Sequence, residues 1–306
     1  MKKRIRLFSH TDLDGVVPNV LVKLAHKNDF VYITNTDYQF INEQILNFVS
    51  SGEIKDYNII YITDISITAE TAVILDQACI DYNISIHLFD HHKTAEHLNQ
   101  YSWAFVSEGI EEFKYTGTWL FFEYLNKKYK LNDSARLLSE MTRQYDSWEW
   151  KYKYNDEMPR LLNDLFVIYG AADFVKKMIC RVEHNHDLIQ FYDRGVLKIE
   201  KNRIARYVKK KYKTLRKFDY NEYKVGLLYA EQHYSDLTLE LSKEFPDVDI
   251  LIIVNISEGG VSYRSINKNI DVSKIAQNFG GGGHAETAGS PLNKGFKQLL
   301  FEKKLL

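Results

Sequence analysis

Apolar residues in the first hundred positions fall into two alternating rhythms. Runs at 5–9, 30–34, 59–63 and 84–89 have strand length. Those at 59–63 and 84–89 are apolar at nearly every position, as in strands buried on both faces. The segments 16–26, 40–49 and 69–82 between them have helical length and spacing. Strand and helix in strict alternation predict a largely parallel sheet covered on both faces.

From about Tyr115 the pattern becomes helical: Trp119-Leu120-Phe121-Phe122, Leu125, Leu137-Leu138, Met141 and Leu161-Leu162 suit helix packing, with Pro159 at a helix start. Between 187 and 218, Ile204, Val208, Tyr212 and Leu215 form one apolar stripe. The same stretch is rich in Lys and Arg, so it reads as a basic connecting helix. Its charges form either a solvated face or an electrostatic wall toward an inter-domain cleft. A second alternating unit follows, with strands at 225–229, 250–256 and 261–265 and helices near 237–245 and 275–279. At 306 residues the chain exceeds the usual single domain. The expected division is 1–186, a connecting helix over 187–218, and 219–306.

Composition narrows the class. With 45% hydrophobic and 26% charged residues the chain is an ordinary globular one. Cys79 and Cys180 form no Cys-x-x-Cys pair, which disfavours a thiolate zinc site and fits a reducing cytoplasm. No apolar run approaches the length of a membrane-spanning helix, and the apolar stretch before His10 is too short for a secretory leader. A net charge of -1 argues against coating long nucleic acid by charge alone, while leaving room for a local basic groove.

The chemistry collects just past strand ends, where α/β sheets bind ligands. Ser9-His10-Thr11-Asp12-Leu13-Asp14-Gly15 follows the first strand, Asp64 the third, and Asp90-His91-His92 the fourth. Acids packed together raise one another's pKa unless a cation compensates them. Asp oxygens with a few imidazoles and no thiolate favour Mn²⁺ or Mg²⁺ ahead of Zn²⁺ and Co²⁺, and four or more carboxylates can hold two ions. Asp146 is the fourth acid chosen over Asp133, Asp156 and Asp164, with a helix N-cap as its alternative role. In the C-terminal unit, Ser262-Tyr263-Arg264-Ser265 places an Arg fork on a strand, and Gly280-Gly281-Gly282-Gly283-His284 offers backbone N–H groups and an imidazole to an anion. Among the abundant aromatics, Tyr263, Tyr145 and Trp148 are the candidates for stacking on a base.

These residues together resemble the Asp-His-His phosphoesterase superfamily with its C-terminal substrate-binding domain, and within it the nanoRNase branch. The resemblance rests on His10-Thr11-Asp12-Leu13-Asp14-Gly15, Asp64, Asp90-His91-His92, Asp146, Val261–Ser265 and Gly280-Gly281-Gly282-Gly283-His284-Ala285. It implies an α/β fold, with an N-terminal parallel-sheet domain and a smaller C-terminal α/β domain that binds substrate. It also implies two divalent ions, Mn²⁺ first and Mg²⁺ or Co²⁺ as alternatives. One would be held by His10, Asp12 and Asp64, and the other by Asp14, Asp64, His91 and Asp146. Asp64 then bridges, Asp90 orients a neighbouring histidine, and His92 faces the phosphate. Ser262, Arg264, Ser265, Gly281, Gly282, Gly283 and His284 would grip the substrate. The implied activity is phosphodiester hydrolysis of short single-stranded oligonucleotides to nucleoside monophosphates in the cytoplasm. The alternatives are removal of the 3'-phosphate from 3'-phosphoadenosine-5'-phosphate and exonucleolytic digestion of longer strands.

Overall fold

In the computed structural model, which describes residues 2–266, 270–283 and 285–304, the early strand runs form β1 (Arg4–Ser9), β2 (Phe30–Asn35), β3 (Ile59–Thr63) and β4 (Ser85–Asp90). Helices α1 (Leu13–Ala25), α2 (Ile41–Ser50) and α3 (Ala69–Asp81) alternate with them. Together with the short β5 (Ala104–Val106), the described strands make a parallel sheet in the order β2-β1-β3-β4-β5. Leu7 lies opposite both Ile33 and Tyr61, and Tyr61 lies opposite His87. Strand β3 is buried along its whole length, as its unbroken apolar run predicts.

The pleat assigns side chains to two cores. Ile5, Leu7, Tyr61 and Phe89 face a layer built from α1, α4 (Gly117–Tyr129), α5 (Asp133–Asp146) and α7 (Met158–Glu183). Phe8, Ile60, Ile62, Ile86 and Leu88 face α2 and α3. A small hairpin, β6 (Gly109–Ile110) and β7 (Phe113–Lys114), precedes α4, and one turn of helix, α6 (Glu149–Tyr152), follows α5. Pro159 lies in the first turn of α7, where its missing N–H costs nothing.

Contacts divide the chain into two units, Met1–Leu197 and Lys198–Leu306. The boundary falls inside α8 (Phe191–Tyr212), so the connecting helix is shorter than the expected 187–218. It stops at Tyr212 because the next residues enter a sheet, as β8 (Arg216–Tyr220) pairing antiparallel with β9 (Tyr223–Tyr229). The stripe of Ile204, Tyr212 and Leu215 around buried Val208 packs on Leu228, Leu251 and Ile253, as its spacing predicts.

The second unit continues with α9 (Tyr234–Glu244), β10 (Ile250–Asn255), β11 (Gly260–Ser265), α10 (Val272–Gln277), β12 (Gly282–Gly283), β13 (Thr287–Pro291) and α11 (Lys294–Glu302). Its described strands follow the order β12-β13-β11-β10-β9-β8, with β9 and β10 parallel and the other pairs antiparallel. No helix among the described residues is long and apolar enough to cross a membrane.

Candidate metal centre

Strand order 2-1-3-4-5 creates a topological switch between β1 and β3, where ligands of open α/β sheets bind. Asp12 caps α1 by accepting the Gly15 N–H (3.0 Å), and Asp14 lies in the first turn of that helix. The backward fold of this loop requires Gly15, because a Cβ there would lie 2.3 Å from the His10 carbonyl oxygen. Ser9 Oγ ties the strand ends together through the Gly15 carbonyl (2.6 Å) and Thr63 Oγ1 (2.7 Å). Asn35 Nδ2 holds the His10 carbonyl at 2.6 Å.

Asp64 follows β3 in the left-handed region (φ 56°), which Asp tolerates better than bulkier residues. Its backbone N–H donates to the Phe89 carbonyl (2.9 Å) and its side chain is buried. The N-terminus of α4 closes over it, since a Cβ on Gly117 would lie 2.6 Å from Asp64 Cβ. The same helix end supplies Gly117 N–H (2.7 Å) and Thr118 N–H (3.3 Å) to the Asp14 carboxylate, an ordinary use of exposed helix donors.

Asp90 is fully buried, and its Oδ1 accepts the backbone N–H of His91 (2.7 Å) and lies 2.7 Å from His92 Nδ1. Asp146 is the last residue of α5 and does not cap the next helix, a role that falls to Trp148. The end of α5 is anchored by buried Arg143, which bridges Glu140 (2.7 Å), Glu149 (2.5 Å) and the Lys114 carbonyl (2.9 Å).

These elements bring ligand atoms of His10, Asp12 and Asp64 within 4.8 Å of one another, and likewise those of Asp14, His91 and Asp146. A further group joins Asp64 to Asp90, His91 and His92. His91 Nε2 lies 3.3 Å from Asp64 Oδ1 and 3.6 Å from Asp146 Oδ2, while His10 Nδ1 lies 3.7 Å from Asp64 Oδ2. Asp64 therefore stands between the first two groups.

Burial, reinforced by Asp14 and Asp12, holds the Asp64 and Asp146 carboxyls well above the usual carboxylate range. Burial pushes His91 down. His10 is pushed up by its hydrogen bond to Asp12. At Asp12 burial is outweighed by that bond together with the His10 charge and the Gly15 N–H, which lower it; at His92 burial is outweighed by the Asp90 bond together with the charges of Asp90, Asp146 and Asp14, which raise it. Asp64 Oδ2 and Asp90 Oδ2 are buried with no hydrogen-bond partner. Orphaned donor atoms among acids that repel one another fit hard divalent cations, which would satisfy the atoms and offset the charge.

The remaining expected site residues lie in the second unit. Ser262 and Arg264 alternate on β11 and so share a face. Arg264 Nε is buried without a hydrogen-bond partner. The Ser265 N–H is engaged by the Glu286 carbonyl (3.0 Å). The glycine run differs from the expected open anion nest. Gly281 N–H donates to Ala276, and Gly282 and Gly283 form β12 against β13. The glycines answer a packing need there, since a Cβ on Gly281 would lie 2.0 Å from the Gly289 carbonyl oxygen. His284 lies outside the described residues. Tyr263 is buried in the core beside Phe279 and Phe296, which removes it as a base-stacking candidate.

Three contributors escape the sequence reading. Tyr38, past the end of β2, places its hydroxyl 3.2 Å from His92 Nε2, with its ring 5.0 Å from that of His10. Burial and the surrounding carboxylates push its phenol well up, so it stays protonated. Gly117 and Thr118 hold Asp14 from more than a hundred residues away. The strand-end rule applied to β2 could have found Tyr38, and the Thr116 N-cap signal marks the start of α4.

No protein-family model matches the chain. It is 34% identical over 288 residues to oligoribonuclease NrnB of Bacillus subtilis, an alignment spanning 92% of this chain and 71% of that protein. Among solved structures, the pGpG-specific phosphodiesterase PggH of Vibrio cholerae superposes with a TM-score of 0.56 at 13% identity, covering 99% of this chain and 98% of that one. Exonuclease RecJ bound to manganese superposes with a TM-score of 0.54 at 15% identity, over 99% of this chain and 89% of that one. At such identities the solved structures establish the shared α/β fold.

Proposed function

The chain belongs to the Asp-His-His phosphoesterase superfamily, in the family of oligoribonuclease NrnB, and from that premise we propose that it is a metal-dependent phosphodiesterase that cuts short oligonucleotides to nucleoside monophosphates. The observation that carries this reading is buried Asp64 standing between two groups of hard ligands.

In this reading His10, Asp12 and Asp64 hold one ion, and Asp14, Asp64, His91 and Asp146 the other, with Mn²⁺ as the preferred metal. Bound there, the ions supply activated water and offset charge growing on the phosphoryl oxygens. The chain's own residues do the rest. The Asp90 carboxylate accepts a hydrogen bond from the Nδ1–H of His92 and orients its ring. The raised His92 pKa lets Nε2 carry a second proton, so it can donate to a phosphoryl oxygen. Ser262 and Arg264 serve a second phosphate, with the Arg fork matching its oxygens. His284 is proposed to complete that phosphate site.

The test is incubation with Mn²⁺, Mg²⁺ or Co²⁺ and end-labelled RNAs of two, five and twenty-four nucleotides. Adenosine 3',5'-bisphosphate runs in parallel, with Asp64→Asn as control. Rapid mononucleotide release from the two shorter RNAs, strongest with Mn²⁺ and absent in the control, is expected. Faster digestion of the longest RNA would make the protein an exonuclease of long strands. Turnover of the bisphosphate alone would overturn the oligonucleotide reading.

A further inference from the structure

Tyr145, Trp148, Trp150 and Tyr152 flank Asp146, at the point where α5 gives way to α6. Trp148 takes a left-handed backbone conformation (φ 60°, ψ 8°), an outlier for a bulky aromatic residue. Its backbone is locked there. The Trp148 N–H donates to the Tyr145 carbonyl (3.2 Å), and its own carbonyl accepts from the N–H groups of Lys151 (3.1 Å) and Tyr152 (3.2 Å). Strain of this kind collects at functional sites.

The turn sets the rings in a ladder. Tyr145 and Trp150 are nearly parallel, 6.5 Å apart at 16°. Trp150 and Trp148 follow at 6.2 Å and 28°, and Trp148 and Tyr152 at 6.3 Å and 31°. The inner ring, Trp150, is buried, whereas Trp148 is 50% exposed and Tyr152 74% exposed. Lys151 Nζ stands 5.5 Å from the Trp148 ring and 5.2 Å from the Tyr152 ring. Packing alone accounts for Trp150 but leaves two large rings and a cation facing water. Trp148 Cα lies within about 7.6 Å of Asp146 Cα along the chain, comparable to the reach of a base from its own phosphate.

We propose that Trp148 and Tyr152, with Lys151 beside them, form a platform on which one nucleobase of the substrate stacks while its phosphate lies at the Asp146 end of the acidic cluster. The occupant is a nucleobase because flat rings and a cation suit a planar base carrying an anionic phosphate. Stacking tolerates any base, since every base has a π-face. The platform rests on the oligonucleotide reading above and adds the group that prefers nucleotides to base-free diesters.

The test compares wild type, Trp148→Ala, Trp148→Phe and Tyr152→Ala on a diribonucleotide and on bis(4-nitrophenyl) phosphate. For Trp148→Ala, the ratio of kcat/KM for the dinucleotide to that for the base-free diester is expected to fall by about 5- to 150-fold, mainly through KM. Trp148→Phe should recover most of the loss, and Tyr152→Ala should lower the ratio by a smaller factor. Binding of a labelled dinucleotide to the Asp64→Asn form, with the same platform substitutions added, supplies a readout that needs no turnover. Weaker binding in Trp148→Ala, with recovery in Trp148→Phe, supports the platform even if wild type cuts no RNA, a result that would sink the oligonucleotide reading instead. An unchanged ratio together with unchanged binding, in Trp148→Ala and Tyr152→Ala alike, would overturn the platform.

Discussion

At the residue scale, His87 shows what burial does to an ionisable group away from the acidic cluster. Its Nε2 accepts the Tyr124 hydroxyl at 2.8 Å, its ring stacks 5.8 Å from that of Tyr61, and burial pushes its pKa down to about 4. The unfolded chain takes up the proton near the ordinary value of 6.5, so the neutral native form has its full advantage above that pH. The advantage is lost as pH falls from 6.5 toward 4. His87→Gln should therefore narrow the gap between urea midpoints measured at pH 7.5 and pH 5; an unchanged gap would show that His87 does not carry this dependence. His87 lies between buried Ile86 and Leu88 on β4, but nothing local in the sequence announces its partner Tyr124 on α4.

At the scale of elements, the start of α4 decides the geometry of two acids at once. Its first N–H groups hold Asp14, and Gly117 lets the helix approach the Asp64 backbone. Gly117→Ala puts a methyl 2.7 Å from Asp64 Cα, where backbone must give way. Overpacking of this kind costs about 1–3 kcal/mol, which urea unfolding would read. Weaker Mn²⁺ binding by calorimetry is expected with it. Unchanged stability and affinity would show that the helix end adjusts freely. The Thr116 cap and the apolar run behind it announce the helix in sequence, but nothing local announces that its N-terminus meets Asp14 and Asp64.

At the scale of the whole molecule, the acidic cluster belongs to the first unit and Arg264 to the second. If Arg264 grips a substrate phosphate, Arg264→Ala should raise KM for a diribonucleotide about tenfold or more, as loss of a charge-assisted bond predicts. Calorimetric Mn²⁺ affinity should stay at the wild-type value, and a matching fall in affinity would refute that division of labour. The alternation of strands and helices, the acids and histidines past β1, β3 and β4, and the apolar stripe of α8 were legible in the sequence, because periodicity and strand-end position are local properties. The sequence left open the strand order that sets β1 beside β3, the place of Asp146 next to His91, the hydroxyl of Tyr38 beside His92, and the open face of Trp148. Only the tertiary structure decided these, because each depends on which distant surfaces bury one another, and a local pattern of polar and apolar residues does not encode its partner.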